Sequence, residues 1–338
     1  MSKKVLSISV AAYNVAETIR EALDPFTKSE VLDKLDIMII NDGSSDQTPQ
    51  IAQEYVTAFP DSFRLINKEN GGWGSTLNVG MKEAVGKYFK QLDGDDYYSL
   101  ENLTEFINFL ENCTADAVYS PFIMFEHGTG AIIKELGAYT CYPFGVNLNL
   151  AELEDFAPAM HTWTVKTDVL KQNPIHITEH CFYTDVEFVL KTCDYCQTVS
   201  FFPLPIYYYR LSRSGQSMSV EGVRKHYMDH LKMVTTMLKY EKDGLTDARK
   251  HNIFFIRLLG ACNMQYFFFF ALDCTPKQKK QLIAFDQLLK KEYPQYYDRL
   301  KGNQIRLLRT THFIGYWLIG HLKTAKDRKL KQNVFEGA

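Results

Sequence analysis

Two rhythms of apolar and polar positions alternate over the first hundred residues. Runs rich in Val and Ile, "KVLSISVAA" (4–12), "LDIMIIN" (35–41) and "GKYFKQL" (86–92), predict strands. Between them, "AETIREALDPF" (16–26) and "TPQIAQEYVTAF" (48–59) repeat with the helical period, the second with Pro49 in its first turn. Strands this apolar, separated by helices, predict an α/β fold: a mostly parallel central sheet covered by helices on both faces.

From about residue 113 the pattern shortens. "DAVYSPFIMFE", "AIIKEL", "TVSFF" and "PIYYYRL" predict brief strands, and one helix is expected to begin near Thr184. This reads as the second half of the same α/β unit. Beyond about 220 the sequence turns helical and aromatic. Within it, Phe254 to Leu272 approaches the length of a membrane span, but Arg257, Asn263 and Gln265 interrupt it, so a buried amphipathic helix is expected.

At 338 residues and 46% apolar content, the chain has enough apolar surface for a sizeable core. A formal net charge of −2 gives no global attraction for nucleic acid, and none is expected as a partner. Seven scattered cysteines without a signal peptide fit a reduced, cytoplasmic setting. Cys193 and Cys196 form a lone C-x-x-C to which no role is given.

In parallel α/β sheets ligands bind beyond the carboxyl ends of the strands. Those ends are unusually polar here. The first predicted strand runs into Tyr13-Asn14, the second into "NDGSSD" (41–46), and the third into Asp93-Gly94-Asp95-Asp96. Repulsion and desolvation act against three carboxylates in four positions, so a cation is expected among them. Hard oxygen donors at this spacing suit Mg²⁺ or Mn²⁺ bridging a diphosphate better than Zn²⁺. The bland alternative is a solvated acidic turn ahead of a helix capped by Ser99. Asp42 is a candidate acceptor for a uracil imide N–H, and Tyr13 a candidate cover for the base, with an ordinary packed aromatic as its alternative. "NGGWGSTLNVG" (70–80) is not a dinucleotide fingerprint, because Leu77 stands where the third glycine belongs.

The order Y-N, "NDGSSDQT", "NGGWGSTLNVGMKEAVGKY", "LDGDD" resembles the family-2 glycosyltransferases of the GT-A fold, closely over residues 5 to about 100 and more loosely to about 219. The resemblance implies a GT-A catalytic domain at 1–220, with a nucleotide-sugar half (1–100) and an acceptor half (101–220), followed by a helical region at 221–338. It implies that Asp42 reads the base, that Tyr13 packs on it with Asn14 beside it, and that Asp93, Asp95 and Asp96 hold ribose and metal (Mn²⁺ or Mg²⁺). The donor is expected to be a nucleotide-sugar, UDP-linked, and the anomeric centre to invert. Asn78 stands in the family's Arg-Asn position, with Leu77 replacing the Arg; Ala11-Ala12 replaces a frequent Pro before Tyr13.

"HCFYTDVEFVLK" resembles the family's E-D motif, with Thr184 replacing the Glu and Asp185 in the place of the catalytic base; Glu187 is the runner-up. "YYYRLSRSGQSMS" resembles the closing segment, in which Arg210 or Arg213 would neutralise the departing diphosphate. His161 and Trp163 are weaker candidates for the acceptor side. The expected acceptor is a glycan or lipid-linked hydroxyl, as in cell-surface polysaccharide synthesis. A basic, aromatic tail, "FIGYWLIGHLKTAKDRKLKQ", suits peripheral contact with the cytoplasmic face of a membrane. Two other readings stay open: a nucleotidyltransferase that makes nucleotide-sugars, and a non-catalytic nucleotide-sugar-binding protein.

Overall fold

The computed structural model describes residues 3–139, 141–211 and 220–317. The chain divides into two compact units, 1–214 with 244–253, and 215–243 with 254–338. Residues 244–253 thus join the first unit, although the sequence pattern grouped them with the helical region. Asp194 fastens them there, accepting from the Thr246 amide (3.0 Å) and hydroxyl (2.9 Å).

The first unit opens with β1 (Leu6–Ala12), α1 (Ile19–Thr27), β2 (Leu35–Asn41), α2 (Thr48–Ala58), β3 (Phe63–Asn67), α3 (Trp73–Glu83) and β4 (Tyr88–Asp93). It continues through β5 (Tyr97–Tyr98), α4 (Leu100–Asn112), β6 (Ala117–Tyr119), β7 (Phe122–Glu126), β8 (Ile132–Leu136) and β9 (Leu148–Asn149). Then follow β10 (Trp163–Lys166), α5 (Thr167–Gln172), α6 (Asp185–Tyr195), β11 (Thr198–Phe201) and β12 (Tyr207–Leu211). An eight-stranded sheet runs β3-β2-β1-β4-β10-β6-β11-β9, and a four-stranded sheet runs β5-β12-β7-β8. The first four strands of the large sheet are parallel, while β10 lies antiparallel to both its neighbours.

Strand periodicity sorts the side chains. Ile8, Val10, Ile37, Ile39, Tyr88 and Leu92 enter one core with Leu23 and Phe26 of α1 and with Phe106 and Leu110 of α4. On the opposite face Ser9 and Phe89 lie beneath α3, where a Cβ at Gly80 would collide with the Ser9 hydroxyl. Glycine is what lets that helix approach the sheet.

The segment "DAVYSPFIMFE" is two strands in two different sheets. Pro121, with no N–H to give a ladder, falls at the break between β6 and β7. Polar groups also cross the large sheet: buried Lys90 on β4 donates to the carbonyls of His161 (2.7 Å) and Trp163 (3.3 Å), and burial pushes its pKa down to about 7.

The second unit is helical: α7 (Val220–Gly244), most of α8 (His251–Ala271), α9 (Pro276–Glu292), α10 (Pro294–Arg299) and α11 (Asn303–Thr310). The apolar stretch read as amphipathic is apolar on more than one side. Phe254, Leu258, Cys262, Tyr266 and Phe269 are buried along one stripe, and Phe268 and Phe270 are buried off it. By length and composition alone, 248–271 would suffice to cross a membrane, yet over half of it is buried within the protein. Its polar Gln265 is buried too, receiving His230 Nδ1 at 2.7 Å.

Candidate active site

The loops after β1 and β2 are sewn together by hydrogen bonds. Asn14 adopts a left-handed backbone (φ 52°), its amide oxygen accepts from the Ser45 N–H (2.8 Å), and its own N–H donates to the Ser44 hydroxyl (3.0 Å). This latch leaves the neighbouring Tyr13 ring 52% exposed at the sheet edge. Asn14 therefore shapes the loop beside Tyr13.

Asp42 is buried and heavily engaged. Its Oδ1 accepts from Lys68 Nζ (2.7 Å), the Gly71 N–H (2.9 Å) and the Ser75 hydroxyl (3.3 Å), and its Oδ2 from the Gly72 N–H (2.8 Å). Gly72 has a positive φ of 80°, which turns consecutive amides toward one carboxylate. Asp42 is thus the clasp of the glycine segment. Three of these four donors lie on Oδ1 and one on Oδ2, so Oδ2 is the less engaged oxygen.

The glycine segment reaches the acidic turn through Trp73, whose Nε1 donates to Asp93 Oδ1 at 2.6 Å. It also carries the segment that leads into α6. The His180 N–H donates to the Gly71 carbonyl (2.6 Å), and a Cβ at Gly74 would strike the Thr178 carbonyl. Asn78 is committed to that joint: its amide donates to the Ile177 carbonyl (2.9 Å) and Glu179 (3.0 Å) and accepts from the Ile177 N–H (2.9 Å). Expected to touch the donor, Asn78 spends its side chain on holding the 177–179 segment against α3.

Asp93, Asp95 and Asp96 each place a carboxylate oxygen within 4.8 Å of the others. The small sheet grips this turn from behind. Tyr207 on β12 donates to Asp96 Oδ2 (2.6 Å) and accepts from the Asp93 N–H (3.2 Å), while the Arg210 N–H donates to Asp96 Oδ1 (2.7 Å). Asp96 is thus tied to β12 by one hydrogen bond on each oxygen, and its carboxylate stays within the expected cluster of three. The all-oxygen donor set of Asp93 and Asp95 fits a hard divalent cation. Burial, then the adjacent Asp95 charge, push Asp93 up to about 7 against the opposing hydrogen bond from Trp73. A bound cation would relieve that repulsion.

Arg210 is tied into the protein at several points. Its guanidinium is buried, with Nε on the Asp95 carbonyl (2.6 Å), one NH₂ on Glu21 (2.6 Å), the other beside His127 Nδ1 (3.2 Å), and its plane over Phe125 (4.7 Å). So engaged, the guanidinium braces the acidic turn through the Asp95 carbonyl. Arg213 lies outside the described residues.

Asp185 begins α6, directly after a segment with positive φ at His180 (50°) and Tyr183 (64°), the kind of backbone strain that gathers at functional sites. Its charge is felt at Asp93. Glu187 is buried two residues on, accepting from Thr178 N (3.2 Å), Thr178 Oγ1 (3.2 Å) and Lys191 Nζ (2.6 Å). Those contacts remove Glu187 as an alternative base. Trp163 is fully buried and donates to Thr192 (2.9 Å), so it is a core residue and not an acceptor platform.

Residues 7–181 match the family described as glycosyl transferase family 2. The chain belongs to that family. An uncharacterized glycosyltransferase of Rickettsia prowazekii (strain Madrid E) is 39% identical over 111 residues, 32% of this chain and 33% of the relative. The putative glycosyltransferase EpsH of Bacillus subtilis (strain 168) is 36% identical over 97 residues, 29% of this chain and 28% of the relative. The match thus spans about a third or less of these family members' own length.

Solved structures extend the likeness across the whole fold. S. aureus TarS 1–349 in complex with UDP-GlcNAc superposes with a TM-score of 0.67 at 20% identity, covering 95% of this chain and 92% of that one. The mannosyltransferase PcManGT from Pyrobaculum calidifontis, in complex with GDP-Man and Mn²⁺, gives 0.55 at 16% identity, covering 97% and 89%. The family-2 chain therefore has the GT-A fold, with a helical C-terminal region.

Proposed function

We propose that this protein transfers a sugar from a nucleotide-sugar, UDP-linked by preference, to a hydroxyl of a glycan or lipid-linked acceptor, with inversion. The observation that carries the reading is the acidic turn itself: three carboxylates within 4.8 Å, held at the carboxyl edge of a parallel sheet, with Asp185 near enough for its charge to act on Asp93. When bound by Asp93 and Asp95, Mn²⁺ or Mg²⁺ supplies charge neutralisation for the leaving diphosphate. Tyr13 covers the base, and Asp42 Oδ2, the less engaged of its two oxygens, receives the imide N–H. Asp185 takes the proton of the acceptor hydroxyl as that oxygen attacks from the face opposite the diphosphate. The TarS complex with UDP-GlcNAc and the PcManGT complex with GDP-Man and Mn²⁺ support the donor class.

Calorimetric titration with UDP, GDP, CDP and dTDP, each with and without Mn²⁺, tests this reading. One nucleotide, UDP on this proposal, is expected to bind at least about tenfold more tightly with the metal. Failure of all four to bind the folded protein overturns the reading.

A cytoplasmic enzyme resting on a membrane is the accompanying proposal. Leu307, Ile314 and Trp317 are all more than half exposed in the second unit, and Lys301 and Arg306 precede them in the sequence. Arg309 is not part of that face, because it pairs with Asp286 at 2.7 Å. The basic run from Lys323 to Lys331 lies outside the described residues. The intact protein is expected to float with anionic but not neutral liposomes, and its failure to float would discard the membrane proposal.

A further inference from the structure

Tyr209 on β12 is half-buried, and its hydroxyl differs from those of three buried phenols of the first unit. Tyr88 donates to the Ala115 carbonyl (2.7 Å), Tyr98 to the Gln91 carbonyl (2.6 Å) and Tyr207 to Asp96 (2.6 Å). The Tyr209 hydroxyl has no hydrogen-bond partner among the described residues.

Its ring, by contrast, is well supported. Tyr207 and Tyr209 share one face of β12, while Tyr208 points the other way and stacks on Tyr97 at 4.8 Å. The Tyr209 ring packs on His161 at 4.5 Å, and His161 is itself stacked on Phe122 (4.8 Å) and edge-on to Tyr207 (4.8 Å). The small sheet thus aims Tyr209 from the same strand whose neighbours grip the acidic turn.

What it lies beside follows from the strand: Tyr207, two residues earlier on the same face, donates to Asp96 (2.6 Å) and packs on the same His161 ring. Burial, then the carboxylates of Asp96, Asp93, Asp95 and Asp185, raise the Tyr209 pKa, so the phenol keeps its proton and can only act as a neutral group. It lies within reach of the charges of both the metal-binding pair and the base. A proton-bearing hydroxyl on a half-buried ring beside these carboxylates, donating to none of them, has its proton to give to a ligand oxygen.

We propose that Tyr209 is a further substrate-contacting residue, whose hydroxyl donates a hydrogen bond to an oxygen of the sugar phosphate held between Asp93–Asp95 and Asp185. This rests on the glycosyltransferase reading above. The bland alternative is an aromatic wedge that merely supports His161, in which the ring matters and the hydroxyl does not.

The test compares Tyr209→Phe, which keeps the ring, with Tyr209→Leu and wild type in the full chain. Three quantities are measured: melting temperature, UDP affinity with Mn²⁺, and the affinity and turnover of UDP-GlcNAc, UDP-glucose and GDP-mannose followed by nucleoside diphosphate release. Tyr209→Phe is expected to melt like wild type and to bind UDP within about twofold, while turnover of the accepted nucleotide-sugar falls about tenfold or more. Tyr209→Leu is expected to lose stability as well. Turnover of Tyr209→Phe within twofold of an active wild type overturns this inference alone, as does an equal loss of UDP affinity and turnover. A folded wild type that neither binds nor turns over any of the three overturns the glycosyltransferase reading and this inference with it.

Discussion

Asp185→Asn is expected to lower the transfer rate by about a thousandfold while leaving nucleoside diphosphate affinity within about twofold. The substitution keeps shape and a side-chain oxygen at the first position of α6, so the helix start survives. What it removes is the capacity to accept a proton. Asp185 stands in the first turn of α6, where the helix dipole favours a negative side chain. No neighbour on α6 can substitute, because Glu187 is fixed between Thr178 and Lys191. The check is the initial rate of nucleoside diphosphate release with acceptor present, set beside calorimetry on the same preparation. A rate within tenfold of wild type would remove Asp185 from the mechanism.

The parallel half of the sheet was legible because β1, β2 and β4 are apolar runs, as strands covered on both faces must be. β3 carried little signal: "FRLIN" is only partly buried, and it holds Arg64, which reaches across to Asp36 at 2.8 Å. β10 was hidden for a different reason. It is four residues long and follows a short 3₁₀ turn, so "WTVK" has neither the length nor the flanking turn residues of a strand. The Ser120-Pro121 break between sheets was readable only as a proline inside an apolar run.

The site divides in the same way. Asp42, Asp93, Asp95 and Asp185 stand directly at the ends of elements, where position alone marks them. Their supports do not. Trp73 meets Asp93 across 20 positions, Tyr207 meets Asp96 across 111, and Arg210 meets the Asp95 carbonyl across 115. These contacts are set by the pairing of β12 with β5 and β7, which no local pattern encodes. Sequence position marks Arg210 as a candidate anion ligand, but not the brace it forms on the Asp95 carbonyl. Tyr209 escaped notice for a related reason: in "YYYR" only strand register tells which phenols face the acids.

Asp95→Ala is expected to cost at least about a hundredfold in Mn²⁺-dependent nucleoside diphosphate affinity without lowering the stability of the metal-free protein. The two halves of that expectation come from one source. Asp93, Asp95 and Asp96 each place a carboxylate oxygen within 4.8 Å of the others, so removing Asp95 takes one of three oxygen donors from any cation these residues bind. Without the cation, the Asp95 charge contributes to holding Asp93 at about 7, above its ordinary 3.8. A carboxyl whose folded pKa is raised binds more protons in the folded than in the unfolded state between those values. Its contribution to stability therefore declines as pH rises from about 4 to about 7. Removing Asp95 lets Asp93 ionise more easily and shallows that decline. Thermal melts in chelator across this pH range should show a flatter profile for Asp95→Ala than for wild type. Asp96→Ala should melt lower throughout, since it strands the Tyr207 hydroxyl and the Arg210 amide. Unchanged metal-dependent affinity in Asp95→Ala would move the cation elsewhere, and a lower melting temperature in that variant would show Asp95 to be a support of the turn instead of its ligand.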